Sequence, residues 1–424
     1  MSHLPSQARL LPWLLLPACL PEKSAPLPCG EGTHEEDGAC VADEPTDDSG
    51  DPTGEGEGET GGEGEGETGG EGEGEGESET GGEGEGEGEG ETGGEGEGEG
   101  EGEAAFDVCA TGAPFTTIQD AVDAASDGAV IRVCAGVYSE VYIGRADLTI
   151  QGEDAEETII YSTSGPALEI DDVEVDISGF TIGGVGTTSS PGAIALNDTE
   201  GTLHDLMLTD NSTPIVAQQT GGDMVWDNVV FRDNVYPKDA YTSSVQLYVL
   251  EGDAEVSHCT FQGNTSNVTL MASDANIEVH NNLLVSNDAY YVGVFSTSAG
   301  GDFRFFNNVV VGNALPSSGS YVLLTGLADI RNNVIASNSG GSALTYRAAA
   351  TDYNVVWDND AGSSLSGTGN VASDPRLVDA DAGDFHLTDI YSPAIDAGDP
   401  ETRYDDVDGT RNDIGAYGGP DGEW

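Results

Sequence analysis

The chain has 424 residues, 79 of them acidic and 12 basic, for a formal charge of −67. That balance excludes nucleic acid and anionic headgroups as partners through a basic patch, because both need clustered Lys and Arg. Cations, or neutral and basic polymers, are the natural electrostatic partners of a surface suited to an open, saline or calcium-containing environment.

The N-terminus reads as an export signal. Arg9 is the charged flank, and Leu10 to Leu16 is an apolar run too short to span a bilayer but of signal h-region length. Leu16-Pro17-Ala18-Cys19 resembles the bacterial lipobox, so residues 1–18 are expected to be removed and Cys19 lipidated. An ordinary signal cut near Ala18 is the alternative. Membrane attachment is then through this N-terminal anchor only. The expected location is the outer membrane or cell surface, or the medium if no lipid is added. In residues 19–53, Cys29 with Cys40 would close a small loop in an oxidising compartment. Cys109 with Cys134 would staple the start of the folded domain to its first strand. Cys259 is left over, at an apolar repeat position, and reads as a small buried hydrophobe.

Residues 54–105 form an acidic Gly-Glu tether. It carries 21 Glu and no Lys or Arg between Gly54 and Glu103, and Glu-Thr-Gly-Gly recurs at 59–62, 67–70, 79–82 and 91–94. With no aliphatic or aromatic side chain to bury, and glycine maximising the entropy lost on ordering, it is expected to be a disordered, charge-stretched spacer.

From Phe106 to the C-terminus the composition shifts to Val, Ile, Thr, Asn and Gly. Thr116-Thr-Ile-Gln119 is a capping box opening a short amphipathic helix with Ile118, Ala121, Val122 and Ala125 on one face, expected to lid the first coil. A phrase ending in Asn then returns seven times, for example Asn281-Asn-Leu-Leu-Val-Ser-Asn287 and Asn307-Asn-Val-Val-Val-Gly-Asn313. Its terminal residues, Asn211, Asn234, Asn264, Asn287, Asn313, Asn338 and Asn359, are 23, 30, 23, 26, 25 and 21 apart. That period with strand composition predicts an all-β parallel β-solenoid. Each Asn is expected in a left-handed corner, which Asn tolerates, with its amide stacked on those of neighbouring coils. A second strand per repeat includes Val245-Gln-Leu-Tyr-Val249 and Tyr291-Val-Gly-Val-Phe295. The period is lost from about residue 371, predicting Asp-, Gly- and Pro-rich loops that cap the last coil.

Pro114 to Ala125, Val130 to Glu140 and Leu148 to Glu153 resemble the opening of pectin lyase-like right-handed parallel β-helix proteins. Asp374-Pro-Arg-Leu, Ser392-Pro-Ala-Ile-Asp-Ala-Gly398 and Asp413-Ile-Gly-Ala-Tyr417 resemble the closing segment of bacterial surface members. The resemblance implies the fold and leaves activity open, because this architecture carries lyases, hydrolases, esterases and non-enzymes. Its enzymes line a groove with paired carboxylates, with calcium and an Arg or Lys base, or with two Asp and an Arg.

If Val245, Leu247, Val268, Leu270, Val292 and Val294 point inward, the outward slots are Gln246, Tyr248, Thr269, Met271, Gly293 and Phe295, with no acid, base or partnered nucleophile. No catalytic residue is assigned. Arg232, Lys238, Arg304, Arg331 and Arg347 read as surface charges. Glu169-Ile-Asp-Asp-Val-Glu-Val-Asp176 offers outward carboxylates on one coil. Asp405, Asp406 and Asp408 are the candidate ligands of a structural calcium, a plain Asp-Gly turn being the other reading. No other cofactor is expected. Tyr236, Tyr241, Tyr248, Tyr290, Tyr291, Phe295, Tyr321 and Tyr346 could stack on sugar faces, about half of them being expected in the core. The reading is a monomeric, surface-anchored β-helix that binds polysaccharide or another surface partner without catalysis. A polysaccharide lyase or hydrolase with a degenerate motif is the alternative.

Overall fold

The computed structural model describes residues 33–36, 39–42, 107–186, 191–238, 244–296, 301–316, 319–325, 328–346, 348–388 and 391–424. The chain divides into two units, Met1–Gly94 and Glu95–Trp424. In the first, Thr33–Glu36 pairs antiparallel with Ala39–Ala42, Cys40 lying opposite Glu35. Cys19, Cys29 and the Gly-Glu tether lie outside the described residues.

The second unit is a parallel β-solenoid whose coils each pass through three strand positions. Face A is a nine-stranded sheet running from Val141–Ile143 to Ala343–Tyr346. Face B begins with Ala129–Val133 and Leu148–Gly152, and face C with Gly136–Tyr138 and Thr158–Ile160. Faces B and C are joined because Glu174–Gly183, Glu200–Thr209 and Asp223–Arg232 run through the corner between them and pair on both sides. The linked ladders close on themselves as a hydrogen-bond pattern, but the object is a solenoid and not a barrel.

Both corners flanking face C use one two-residue device. At the B–C corner, Asp205, Asn228, His258, Asn281, Asn307, Asn332 and Tyr353 have φ between 50 and 57°. At the C–A corner, the left-handed residues include Asp210, Asp233, Ser286, Ser337 and Asp358. The corner expectation is therefore corrected. The residue before each repeat Asn takes the left-handed conformation, and the Asn itself is turned inward.

There the repeat Asn amides form a continuous chain. Nδ2 of Asn211 donates to Oδ1 of Asn234 at 2.9 Å, and the pattern continues through Asn264, Asn287, Asn313 and Asn338 to Asn359. A second ladder runs down the B–C corner through Asn282, Asn308, Asn333, Asn354 and Asn370. Each amide also donates to a carbonyl of the preceding coil, as Asn287 does to Phe261. Side chains thus supply the partners that a turning backbone cannot give itself.

Between the ladders the core is filled by stacked apolar rows. Phe231 stacks on Phe261 at 4.6 Å, and Phe295 packs against Phe303 and Phe305. Cys259 is fully buried, and burial pushes its thiol well above the ordinary range. Cys109 and Cys134 are disulfide-bonded. A helix spans Ile118–Ala124, N-capped by the Thr117 hydroxyl, with Ile118, Ala121 and Val122 buried. The Gln119 amide donates to the carbonyl of Tyr142 at 3.1 Å and accepts from its N–H at 2.8 Å. It thereby serves the first strand of face A as a neighbouring strand would.

The C-terminal expectation is also corrected. The last coil is covered by the residues just before 371: Leu365 packs on the core, Tyr353 N–H bonds to Thr368 O, and Val371 bridges Val355. The segment beyond runs back along the outside of face C. Phe385, Ala394, Ile414 and Ala416 cluster there with Leu283, Val285, Val309, Val311, Val334, Ala336 and Val355. Face C is consequently buried on both sides, which is why its strands there read as unbroken apolar runs.

Candidate functional site

Face A carries an apolar strip on the side away from the main core, with Val245, Val268 and Val294 buried and its tyrosines partly exposed. Ile215, Val245, Val268, Tyr291 and Tyr321 lie in register along the axis. Beside them run Tyr248, Met271, Val294, Leu324 and Tyr346. Val245, Val268 and Val294 form a cluster separate from the core, flanked by Tyr248, Met271, Tyr291 and Leu324. Tyr291 stacks on Tyr321 with ring centroids 6.3 Å apart, and Tyr321 meets Tyr346 at 5.3 Å.

This reverses part of the alternation expected for these strands. Gln246 and Thr269 follow Val245 and Val268, at the position where neighbouring coils carry the core residues Val216, Val292, Val322 and Leu344. Both are buried, and Gln246 Oε1 and Thr269 Oγ1 have no hydrogen-bond partner. Alternation read from residue types put the valines inside. The structure instead buries two polar groups, and such groups weaken a core.

The aromatic residues singled out in the sequence separate accordingly. Tyr248, Tyr291, Tyr321 and Tyr346 are on the strip. Phe295 is core at 2 % exposure. Tyr236 is half-buried, and its N–H extends pairing to Thr265 O. Tyr290 lies beneath Lys238, whose ammonium is 5.9 Å from the ring and paired with Asp288. Tyr241 lies outside the described residues.

Face B carries a feature that the sequence reading missed. Glu174, Glu200, Asp223 and Asp253 stand in one axial row, followed by Asn276. A groove of about 350 Å³ runs past Asp223, Asp253, Glu255, Asn276, Glu278, Asp302 and Arg304. Several of its charges are internally paired. Arg304 holds Glu278 and Asp302, Asn276 donates to Asp253 at 2.6 Å, and His280 contacts Glu255 at 3.2 Å. The hydrogen bond from His280 holds Glu255 below the usual carboxylate range, so Glu255 stays ionised and is unsuited to act as a general acid. The sequence signal was an acid at the start of successive strands after a glycine or turn residue, outside the repeat phrase. Of the run Glu169–Asp176, Glu169 and Asp171 are on face A, and Glu174 and Asp176 on face B, with Asp172 at the corner.

The acidic loop near the C-terminus turns its oxygens to the backbone. Asp406 accepts from Asp413 N–H at 3.0 Å and from Gly419 N–H, and Asp408 accepts from Thr410. Burial raises the carboxyl of Asp406, and Asp413 is pushed up to about 6 by burial and the neighbouring carboxylates. Among the described residues no three His, Cys, Asp or Glu side chains are gathered closely enough to hold a metal ion. Arg331, expected as a surface charge, is instead enclosed between Asp329 and Asp399 with its side chain 13 % exposed.

No family model matches the chain, and no curated protein matches it. Among solved structures it is similar to pectate lyase Pel9A, at 14 % identity over 70 % of this chain and 90 % of that one, with a TM-score of 0.45. It is also similar to the Aspergillus niger pectin methylesterase, at 18 % identity over 63 % and 86 % with a TM-score of 0.32. The pectin methylesterase PemA of Erwinia chrysanthemi matches at 12 % identity over 69 % and 99 %, with a TM-score of 0.31. This chain is a parallel β-helix. That architecture is read from the chain's own strand pairing, and at these identities and TM-scores the likeness says nothing of activity.

Proposed function

We propose that this protein is a surface-anchored right-handed parallel β-helix that binds a polysaccharide along the face A strip without cleaving it. The observation that carries this reading is the set of partly exposed Tyr248, Met271, Tyr291, Tyr321 and Tyr346 side chains, packed over the buried valines Val245, Val268 and Val294. Parallel strands are spaced about 4.8 Å apart, so Tyr291 and Tyr321 repeat along the axis, with Tyr346 in the adjoining row, as a platform for the apolar faces of successive sugars. The charge of −67 disfavours polyuronates and favours neutral or amine-bearing glycans. Lys238, beside the strip, is already paired with Asp288.

A panel of neutral, amino-sugar and uronic glycans should show binding to the first two classes, with no release of reducing ends or unsaturated products. Tyr291→Ala with Tyr321→Ala should weaken binding about tenfold or more, the loss expected when buried aromatic anchors are truncated, while the far-ultraviolet circular dichroism stays the same. Binding confined to uronates would reject the proposed ligand class. Product formation would instead favour a lyase or hydrolase, with Glu255, Glu278 and Arg304 of the face B groove as the first residues to test.

The anchor is part of the same proposal, resting on Leu16-Pro17-Ala18-Cys19. In a host that processes lipoproteins, the wild type should partition into detergent and Cys19→Ser into the aqueous phase. Equal partitioning of the two would leave a secreted protein.

A further inference from the structure

Beyond the strip, the C-terminal segment is fastened to the B–C corner coil by coil. Asn332 accepts from Asp399 N–H, Asn307 donates to Gly415 O, and Asn281 donates to the carbonyls of Ala416 and Gly418. These fastenings are neutral. The last one is different. His258 Nε2 lies 2.9 Å from the carbonyl of Asp421, and its Nδ1 lies 2.6 Å from Asp227 Oδ1. Both neighbours are acceptors only. A neutral imidazole has a single N–H, so the doubly protonated ring alone donates to both.

His280, one coil further, repeats the arrangement. Its Nε2 is 3.2 Å from Glu255 Oε1 and its Nδ1 is 3.0 Å from Asn281 Oδ1. The Asn281 amide cannot turn to offer its nitrogen, because that nitrogen already holds the two tail carbonyls. The carboxylate of Asp421 stands 4.0 Å from His280 Nδ1. The two rings meet edge-on at 6.4 Å, with Phe306 stacked on His280 and Trp424 at 5.3 Å from His258. Three carboxylates, Asp227, Glu255 and Asp421, therefore surround the pair and offset the repulsion between two imidazoliums.

We infer that the pair His258 and His280 forms a pH-operated clasp, which holds the end of the chain, Asp421 to Trp424, against the solenoid while His280 is protonated and releases it when His280 is neutral. Burial of His280 disfavours its charge, but hydrogen bonds to Glu255 and Asn281 and the charges of Glu255 and Asp421 outweigh this and raise its pKa above the ordinary imidazole value. A group whose pKa rises on folding contributes stability that is complete below its unfolded value, about 6.5, and is lost as pH climbs through the folded value. The clasp is thus closed in mildly acidic medium and opens on the alkaline side. Three asparagine fastenings do not titrate, so opening stops at the end of the tail.

Hydrogen exchange of the full chain tests this at pH 5 and pH 9. After correction for the intrinsic rate, protection of the Gly422 amide, which donates to Gly419 O, should fall roughly tenfold or more, the scale of one lost charge-assisted hydrogen bond. Emission from Trp424, taken as the difference from Trp424→Phe, should change over the same range. His258→Gln with His280→Gln should flatten both responses. His258→Gln alone, at a side chain 21 % exposed, serves if the buried substitution unfolds the protein, and it should abolish the emission response. Protection of the wild-type tail that does not vary with pH would overturn the inference, as would a response that survives in the folded variants.

Discussion

Asn313→Leu is expected to destabilise the solenoid by about 3–5 kcal/mol, through several buried groups losing partners at roughly 1–3 kcal/mol each. Asn313 Oδ1 accepts from both the N–H and the amide of Asn287, and its Nδ2 donates to Asn338 Oδ1 and Leu284 O. Leu has the same number of side-chain heavy atoms but is bulkier, so overpacking adds to the loss. The larger part comes from orphaned donors and acceptors at a level where Asn287, Asn313 and Asn338 are 0 to 2 % exposed. The left-handed backbone is not the cause, because that conformation belongs to Gly312, with φ 70°. Gly312→Ala should therefore cost only about 1–2 kcal/mol. Urea unfolding of the two variants gives the comparison. An Asn313→Leu midpoint equal to that of the wild type would show that the ladder contributes nothing to stability.

Arg331→Leu should be comparably damaging, at about 3–5 kcal/mol, the usual cost of breaking a buried ion pair from one side. The guanidinium lies against both oxygens of Asp329 at 2.7 to 3.1 Å, contacts Asp399, and lies 5.4 Å from the Tyr404 ring. Asp399 is 5 % exposed, so removing Arg331 strands a carboxylate that water cannot reach. Adding Asp399→Asn should restore much of the loss, since the uncompensated charge is then gone. A double variant no more stable than Arg331→Leu would show that the charge of Asp399 is not what the arginine serves. Because this pair ties the returning segment to the coil of Asp329–Arg331, exchange protection at 399–404 should fall with Arg331→Leu.

The returning segment also shows where sequence reading stops. The period of the Asn phrases and the β-branched runs between them determined the parallel β-solenoid, because stacked coils need the same strand and the same corner at every level. The Asn ladder was legible for the same reason. Even the second ladder was written in the sequence, as Asn281-Asn, Asn307-Asn and Asn332-Asn. What decided between the two neighbours was geometry: one residue of each corner must be left-handed and face outward, and the next must reach inward. Residue type alone does not separate them, since Asn suits both positions.

Which face a side chain presents was decided only by tertiary structure. Phe295 and Val294 are adjacent and both apolar, yet the first fills the core and the second joins the strip, because Val292 and Gly293 both take core positions and so shift the alternation of the residues after them. The unbroken run Val309-Val-Val311 needed a cover on its outer side, and nothing local said that Phe385, Ile414 and Ala416 would supply it from far along the chain. The acidic groove likewise required coil register, since Asp253 with Glu255, Glu278 and Arg304 come from three successive repeats and approach only when those repeats stack. Local sequence sets strand and corner, but the burial of a given side chain depends on distant residues that the period does not encode.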